Sequence, residues 1–398
     1  MNSDTAPRLS RAPQRAKGIA TPAIILALVA ALVLVFALLV MEKSRNFRAN
    51  ADEVQQEAYA AGDQSANQGE TFTWRMVTSW PKNFPGIGMG PENFAERVAA
   101  MSGGRLVIHV YGAGEIVPAL GVFDAVSSGA VEMGHTGAYY HKGKIAAAPF
   151  FTAVPFGMNA QEIHAWLQYG GGMEIWRELY EPFNIRPFPG GNTGVQMGGW
   201  FNKEINSLED LRGLKMRLPG IAGEVLQRAG GTAVNIAGGE LYTSMQTGVI
   251  DATEWVGPYN DRSFGLNEVA QYYYYPGWHE AGSMLEFDIN IEAWNRLPAD
   301  LQAILETASQ AINEDMLDEY TAQNSVVLQE LIAEGTDIRP YPQEVMAELK
   351  SIALEYYAEE AEKDETFAEV YQQYWDFYEK MQAWHAISEL PLYLDRQR

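Results

Sequence analysis

Three polar residues in the middle of the chain could together bind a small anion. Gln196 lies in the segment GVQMGGW, Arg217 in LKMRLP and Glu254 in DATEWVGP, and each segment is short and strand-like. An arginine offers a planar fork of N–H donors, an amide and a carboxylate offer oxygens, and aromatic side chains exclude water. The stretch 193–259 therefore predicts a closed pocket, although each of the three residues has a plainer alternative as a packing or salt-bridged group.

The pattern of apolar residues predicts the elements that must position this pocket. Strands are predicted at 72–77, 105–111, 131–135, 214–218, 251–256 and 284–291, and helices at 91–101, 122–128, 160–169, 173–183, 223–228, 239–246, from 298 onward and at 343–387. The first five elements alternate as β-α-β-α-β, which predicts an α/β lobe with a mostly parallel sheet. At 398 residues the chain exceeds one ordinary domain, so we expect two lobes.

The charge distribution excludes one class of partner. The net charge is −23, yet residues 1–48 hold seven Lys or Arg and only two Asp or Glu, so the rest of the chain is strongly acidic. Phosphates would repel such a domain, and we expect no nucleic-acid binding. The chain has no cysteine, which excludes disulfides, cysteine metal sites and thiol catalysis.

An uncharged apolar run, 23–41, lies near the amino terminus. It comes close to the ~20 residues that a membrane-spanning helix needs, whereas a cleaved signal usually has an apolar region of ~7–15 residues followed by a small-x-small site. No such site follows directly, so an uncleaved anchor is favoured over a cleaved signal that would leave a free periplasmic protein. We predict that the domain lies on the periplasmic side of the inner membrane, although the flanking positive charges differ little in number.

Catalytic motifs give no positive signal. The six histidines are scattered without a His-x-x-x-His pair, the glycine clusters lack the lysine of a phosphate-binding loop, and Gly-x-Ser-x-Gly is absent. No nucleophile–base pair is visible in the local sequence. We therefore predict a binding protein rather than an enzyme.

The last helical region, 343–387, is acidic yet rich in tyrosine, phenylalanine and tryptophan. So many large apolar side chains on terminal helices predict burial against something beyond their own lobe. We expect a homodimer formed through these C-terminal helices.

The segments around the pocket resemble a known family. GNTGVQMGGWF, LEDLRGLKMR, GVIDATEWVGPY and YYYPGW are similar to the solute-binding subunits of tripartite ATP-independent periplasmic (TRAP) transporters, most of all to the branch that binds 2-oxo acids or lactate. The resemblance runs from Phe72 to about Leu390. The Leu-Arg-Gly-x-Lys-x-Arg and Gly-x-Ile/Val-Asp-Ala motifs are specific for the superfamily, and the Gln-Met-Gly-Gly-Trp and Glu-Trp pieces narrow it to the branch.

The resemblance implies an α/β fold of the periplasmic-binding-protein kind, with two lobes joined by hinge strands, a long helix spanning both lobes, and C-terminal helices. It also implies separate tasks for the pocket residues. Arg217 would pair with the substrate carboxylate, while Gln196, Glu254 and the main-chain carbonyl of Trp255 would bind a metal cation. The carboxylate and 2-oxygen of the substrate would complete the metal shell.

The implied ligand is a small 2-oxo monocarboxylate such as pyruvate, or a 2-hydroxy acid such as lactate, which is delivered to TRAP permease subunits in the membrane. Gln196 would lie beside both ligand and cation. Asn235 and Tyr139 are further substrate-binding candidates, with lobe packing as their alternative.

A charge count bears on the cation. Glu254 and a monocarboxylate bring two negative charges and Arg217 one positive charge, so sodium makes the closed site neutral and is favoured, with calcium as the alternative. Calcium takes ~6–8 oxygens and would need a further carboxylate or waters. The acidic residues close enough in sequence to supply one are Asp251, Asp261 and Glu280.

The chain divides accordingly into a cytoplasmic segment 1–22, a transmembrane anchor 23–41, a polar linker 42–70, a first lobe 71–192 with 287–297, a second lobe 193–286, and a long helix with C-terminal helices in 298–398. The alternative function is a membrane-anchored sensor or a metal-assisted enzyme acting on 2-oxo acids. Such an enzyme would need a general acid or base beside the carbonyl, and the sequence nominates none.

Overall fold

The computed structural model describes residues 69–396. The predicted cytoplasmic segment 1–22, the predicted anchor 23–41 and all but the last two residues of the predicted linker lie outside the described residues. Within 69–396, no helix combines the length and the apolar character that crossing a membrane requires.

Strands and helices alternate through most of the described chain. The strands, numbered β1 to β11, are Phe72–Thr78, Leu106–Tyr111, Met133–Thr136, Ile185–Asn192, Gly199–Phe201, Lys215–Arg217, Thr232–Val234, Ala252–Thr253, Tyr272–Tyr275, Met284–Asn290 and Asp337–Pro340. The α-helices, numbered α1 to α13, are Met89–Met101, Val122–Ser127, Ala160–Tyr169, Gly172–Tyr180, Gly220–Arg228, Leu241–Gln246, Pro258–Ser263, Leu266–Val269, Ile291–Asn295, Ala299–Ala333, Gln343–Lys363, Glu365–His385 and Glu389–Arg396.

The first lobe is built on a five-stranded sheet with the order β2-β1-β3-β10-β4. Strand β1 pairs in parallel with β2 and β3, which confirms the β-α-β-α-β opening, whereas β10 runs antiparallel to β3 and β4. The sheet is therefore mixed, because β10 returns to it from the second lobe. Its core packs Trp74, Phe94 and Phe287 against the start of α10 at Leu301 and Leu305.

The second lobe is built on a six-stranded sheet with the order β11-β9-β5-β8-β6-β7. Strand β6 pairs in parallel with β7 and β8, and β5 runs antiparallel to β8 and β9. Strand β11 pairs in parallel with β9. The stretch 298–398 therefore contributes a strand to the second sheet in addition to the predicted helices. Strand β10 begins at Met284, whereas the predicted return to the first lobe begins at 287. Residues 284–286, which the sequence analysis placed in the second lobe, therefore lie in the first sheet.

Two crossover segments join the sheets: 193–198 leads from β4 to β5, and 276–283 leads from β9 back to β10. They run side by side, because the backbone N–H of Gln196 donates to the Glu280 carbonyl at 3.1 Å and that of Gly277 donates to the Gln196 carbonyl at 2.9 Å. The Thr193 N–H likewise donates to the Ser283 carbonyl at 3.0 Å. The two crossovers are therefore bound to each other, and helix α10, which leads on to β11, makes a third chain connection between the sheets.

Helix α10 spans both lobes, as the resemblance implies. It packs against α1 and β4 in the first lobe and against α7 in the second. The Tyr320 hydroxyl donates to the Asn260 side chain at 2.6 Å and accepts the Ile87 N–H at 3.2 Å, so one ring ties the two lobes together. Met316 fills the space beside Gly191, where a Cβ would collide with its sulfur.

The C-terminal helices bury most of their aromatic side chains against the same chain. The Tyr357 hydroxyl donates to the Pro155 carbonyl at 2.9 Å, and Tyr374 accepts the Met158 N–H at 2.6 Å while its ring packs on Phe150. The predicted single helix 343–387 breaks at Asp364, whose carboxylate caps α12. Burial within the chain, rather than against a partner subunit, accounts for Tyr357 and Tyr374.

Candidate functional site

The parallel pairing of β6 and β8 brings two of the predicted site residues together. Arg217 ends β6 and lies opposite Thr253 in β8, so Glu254 follows directly at the neighbouring strand end. Both side chains are 1% exposed. A charged pair buried to this extent must be compensated by its surroundings, since desolvation of each ion costs several kcal/mol.

Arg217 is held by three partners. One terminal nitrogen, Nη1, contacts the Glu254 carboxylate, Nη2 donates to the Tyr140 hydroxyl at 3.0 Å, and Nε donates to the Ile236 carbonyl at 3.1 Å. The guanidinium also lies over the Trp255 ring, 5.1 Å from its centre. Because a guanidinium has five N–H donors, one remains on each terminal nitrogen, which is the arrangement that a carboxylate can accept in two parallel bonds.

Burial and the ion pair act in opposite directions on Glu254. Burial raises the pKa of the Glu254 carboxyl, the contact with Arg217 opposes that rise, and the nearby Glu280 adds to it. Burial alone would lower the pKa of Arg217, but the Glu254 carboxylate outweighs it and raises that pKa. The arginine is therefore a fixed positive charge, and Glu254 is the group that responds to further charges.

Gln196 lies in the first crossover segment and reaches across to the second. Its amide nitrogen donates to Glu280 Oε2 at 2.8 Å, to the Ser283 hydroxyl at 3.0 Å and to the Thr193 hydroxyl at 3.3 Å. Its amide oxygen is buried and has no hydrogen-bond partner within residues 69–396. The amide is thus anchored by its nitrogen and presents its oxygen to the site.

The second crossover segment adds His279 and Glu280. Ligand atoms of Glu254, His279 and Glu280 lie within 4.8 Å of one another, and His279 Nε2 is 3.8 Å from Glu254 Oε2. Burial lowers the pKa of His279 to about 3, with Arg217 acting in the same direction, so this imidazole is neutral. His279 was not nominated in the sequence analysis, because no other histidine lies near it in the sequence. The available signal was its position directly after the Tyr-Pro-Gly-Trp run, in the segment that connects strands of different sheets.

The unpartnered atoms of this cluster fit a cation. Within the described part of the chain, Gln196 Oε1, Glu254 Oε2 and both ring nitrogens of His279 are buried without a hydrogen bond. Leaving such atoms unpaired costs about 1–3 kcal/mol each. Amide and carboxylate oxygens are the donors that sodium and calcium take in proteins, so the residues present suit the cation that the sequence resemblance implies.

The two further substrate-binding candidates, Tyr139 and Asn235, lie outside the buried cluster. Tyr139 is buried with its ring edge against Tyr140, 4.6 Å between centres, whereas Asn235 follows β7 and is exposed. Both line a cavity of about 210 Å³ between residues 139–143 of the first lobe and 218–235 of the second. The structure therefore does not bring Asn235 into the buried cluster.

Of the three acidic residues considered as an extra cation ligand, only Glu280 joins the cluster. Asp251 is paired with Lys203 at 2.9 Å and accepts the Lys215 N–H at 3.1 Å. Asp261 braces the Glu-Trp-Val segment from behind: it accepts the Val256 N–H at 3.0 Å and hydrogen bonds from the side chains of Trp200 and Tyr273 at 3.0 and 2.7 Å.

The chain is similar to known proteins along most of its length. The family model described as bacterial extracellular solute-binding protein, family 7, matches residues 76–364. A Nostoc protein named monocarboxylate 2-oxoacid-binding periplasmic protein is 49% identical over 317 residues, which cover 80% of this chain and 87% of that protein.

Two solved structures of similar proteins share the fold. A TRAP periplasmic solute-binding protein from Pseudoalteromonas atlantica, with bound sodium and pyruvate, superposes with a TM-score of 0.80 at 46% identity, covering 82% of this chain and 99% of that one. The corresponding protein from Colwellia psychrerythraea, with bound calcium and pyruvate, gives a TM-score of 0.80 at 45% identity over 82% and 100% of the two chains. The two-lobe α/β fold is thereby confirmed.

The family match over most of the chain and the 49% identity to the Nostoc protein together settle the class of the molecule. The chain belongs to family 7 of the bacterial extracellular solute-binding proteins, the periplasmic receptors of TRAP transporters, and is a binding protein rather than an enzyme.

Proposed function

We propose that this chain captures a small 2-oxo monocarboxylate, such as pyruvate, or a 2-hydroxy acid, such as lactate, together with a metal cation. The observation that carries the proposal is the convergence of a fixed guanidinium with unpartnered oxygens in one buried cluster. Arg217 supplies two free N–H donors, while Gln196 Oε1 and Glu254 Oε2 have no hydrogen-bond partner among residues 69–396. A carboxylate and a cation that arrive together satisfy both sets.

The roles divide by charge. Arg217 binds the ligand carboxylate, and Gln196 and Glu254 bind the cation through their side-chain oxygens, with the main-chain carbonyl of Trp255 as a further ligand. Tyr139 and Asn235 line the cavity of about 210 Å³ between the lobes, and we assign to them the end of the ligand farther from Arg217. The cation, when bound, supplies the positive charge that lets Glu254 and the ligand carboxylate share a dry cavity.

The position of Glu280 changes the charge count for the cation. Its carboxylate lies with Glu254 and His279 in the same cluster. With Glu280 protonated, sodium makes the loaded site neutral, and with Glu280 ionised, calcium does so. The relatives from Pseudoalteromonas and Colwellia were solved with sodium and with calcium, so the same fold accommodates either ion. Sodium stays the favoured cation at low calcium concentration.

Capture and delivery follow from the crossover segments. Gln196 and Glu280 lie on the two paired connections between the lobes, so ligand binding at the cluster and the angle between the lobes are mechanically linked. The loaded, closed form docks on the membrane subunits of a TRAP permease, the partner that the family implies.

Two further features belong to the proposal. The apolar run 23–41 holds the domain at the periplasmic side of the inner membrane, close to the permease. A homodimer forms through the C-terminal helices, where Trp384, Ile387, Leu390 and Tyr393 expose more than half of their surface. Size determination by light scattering with Leu390→Asp as the variant tests the dimer, and a monomeric wild type contradicts it.

A thermal-shift panel tests the binding function. The full chain, kept in a mild detergent because of its apolar run, is heated with pyruvate, lactate, 2-oxobutyrate or acetate, each in sodium, calcium or chelator without either ion. A ligand at ~100 times its dissociation constant adds about 2.7 kcal/mol of stability. We expect a shift with 2-oxo or 2-hydroxy acids that vanishes when the cation is withdrawn. A shift that acetate reproduces, or that chelator leaves intact, contradicts the proposal.

A further inference from the structure

A second buried cluster of the same residue types lies wholly within the first lobe. Ligand atoms of His141, Glu286 and Asp288 lie within 4.8 Å of one another. His141 is 4% exposed, and the two acidic residues are fully buried. None of the three takes part in the ligand site described above.

Local structure explains why these side chains meet. Glu286 and Asp288 are two residues apart in β10, so they point to the same face of the sheet. His141 ends the short helical turn 138–141, and its Nε2 lies 2.9 Å from Glu286 Oε1. The Tyr180 hydroxyl donates to the other oxygen, Oε2, at 3.0 Å. The Glu286 carboxylate is therefore fixed with one oxygen toward the imidazole.

Asp288 has no such partner. Both of its carboxylate oxygens are buried without a hydrogen bond within residues 69–396, although the side chain points into the cluster. Among the described residues, no lysine or arginine forms an ion pair with Glu286 or Asp288. Burial raises the pKa of Glu286 to about 8 and that of Asp288 also well above its ordinary value. Two carboxyls in this position must be neutralised either by protons or by a cation.

We propose that His141, Glu286 and Asp288 bind one divalent transition-metal ion, for which zinc is the probe. The two carboxylates match the charge of a divalent ion, and one imidazole nitrogen with two carboxylate oxygens is a donor set that zinc accepts. The nitrogen ligand disfavours calcium and magnesium, which prefer oxygen. The bond from Tyr180 to the outer oxygen of Glu286 is the kind of supporting contact that orients a metal ligand.

The ion has a structural task in this position. It joins β10, the strand through which the chain re-enters the first lobe, to the turn that carries Tyr139 and Tyr140, which line the cavity between the lobes. Because the cluster lies at one side of the crossover segments, its occupancy fixes the first lobe without entering the ligand site.

Zinc content after refolding tests the proposal. The full chain in mild detergent is unfolded in guanidinium, stripped with chelator, refolded with zinc and freed of loose metal by gel filtration. Wild type, Asp288→Asn and His141→Gln are compared, because zinc held at the Glu254–His279–Glu280 cluster would be retained by all three. We expect wild type to hold one zinc ion more than either variant, with an apparent affinity at least ~100-fold tighter. Asp124→Asn, an exposed carboxylate near the same turn, serves as the matched control and should keep the wild-type content.

Three results overturn the proposal: a wild type with less than one zinc ion per chain, equal zinc content in wild type and variants, or the same loss in Asp124→Asn. An Asp288→Asn variant that keeps the wild-type zinc content and, once stripped of metal, melts higher than stripped wild type would likewise overturn the proposal, because protons would then neutralise this cluster. If Asp288→Asn does not refold, His141→Gln alone decides, since it removes a neutral ligand and leaves no new buried charge.

Discussion

The chain contains two buried clusters with the same makeup, two carboxylates and one histidine, in different mechanical settings. Glu254, His279 and Glu280 lie where the two crossover segments meet the second sheet, whereas His141, Glu286 and Asp288 lie on one side of a single sheet. The first cluster can change when the lobes move. The second moves as part of one lobe, so a metal ion bound there would act on the rigidity of that lobe.

The two clusters also differ in their fixed charge. Arg217 lies in the first cluster with two N–H donors to spare, and no arginine or lysine side chain among residues 69–396 pairs with the acidic residues of the second. A site that includes a fixed cation can attract an anionic ligand, while one that has only carboxylates attracts cations. The two clusters have equal numbers of carboxylates. The ligand site differs from the structural site because it lies at the crossover segments and includes an arginine.

The largest expected loss of ligand affinity comes from Arg217→Ala, because this variant removes the fixed positive charge that distinguishes the first cluster from the second. The ligand carboxylate and Glu254 would both be buried without a guanidinium, which costs about 3–5 kcal/mol. Calorimetry with pyruvate in sodium should show binding weakened by at least ~100-fold. Arg228→Ala is the control, because Arg228 pairs with Glu359 at the surface, and near-normal binding by Arg217→Ala would refute its role.

Asp261 sharpens the comparison as a buried carboxylate with a full set of donors. Burial raises its pKa to about 6 in spite of the hydrogen bonds that it accepts, so the folded state holds its proton more tightly than the unfolded state does. Its contribution to stability is therefore present below about pH 4 and is lost as pH rises toward 6. Two pKa units correspond to about 3 kcal/mol, and the stability difference between wild type and Asp261→Asn should fall by up to that amount across this window.

Asp251→Asn supplies the control of opposite sign. Burial by itself would raise the pKa of Asp251, but the bonds from Lys203 and the Lys215 backbone outweigh it and lower that pKa. The stability that Asp251 contributes is therefore gained as pH rises through the acid range. Denaturant titrations between pH 3 and 7 give the free energy of unfolding of wild type and both variants. If the difference between wild type and variant changed with pH in the same direction for Asp261→Asn and Asp251→Asn, the assignment for Asp261 would be contradicted.

Much of the fold and part of the site could be predicted from the sequence. The strand–helix alternation before residue 140 and the apolar stripe of α10 are local periodicities, and both are confirmed. Arg217 and Glu254 could be nominated because the first ends a short strand and the second directly follows one, each in a recognisable motif. Strand β11 was missed, since a four-residue strand that ends in proline has almost no periodic signal of its own.

The remaining site residues depend on long-range pairing that no local pattern shows. Glu280 lies beside Gln196 because the two crossover segments hydrogen-bond to each other across 84 residues of sequence. The His141–Glu286 contact spans 145 residues. Asn235 could not be placed either, since its exposure depends on how the end of β7 meets the opposite lobe.

The same substitution placed in each cluster tests whether they are separate. Glu254→Gln should remove the dependence of pyruvate affinity on the cation, a coupling of about 2 kcal/mol, because without the Glu254 charge Arg217 alone balances the ligand carboxylate. Glu286→Gln should leave that coupling intact. Calorimetry in sodium and in chelator measures both variants. Loss of the coupling in Glu286→Gln would show that the two clusters act as one system.

The smallest expected effect concerns the choice between cations. Glu280 accepts hydrogen bonds from Gln196 and Ser283, and a glutamine at 280 can still accept both through its oxygen, so Glu280→Gln removes charge with little change of shape. With three carboxylates, Arg217 and calcium, the loaded site is neutral; without the Glu280 charge, sodium makes it neutral instead. The ratio of calcium to sodium affinity in the presence of pyruvate should therefore fall about tenfold, or ~1.4 kcal/mol. Glu240→Gln, at an exposed position of the second lobe, should leave the ratio unchanged. An unchanged ratio in Glu280→Gln would mean that Glu280 is already uncharged in the loaded site, which leaves Glu254 as the only carboxylate of the protein that the cation neutralises.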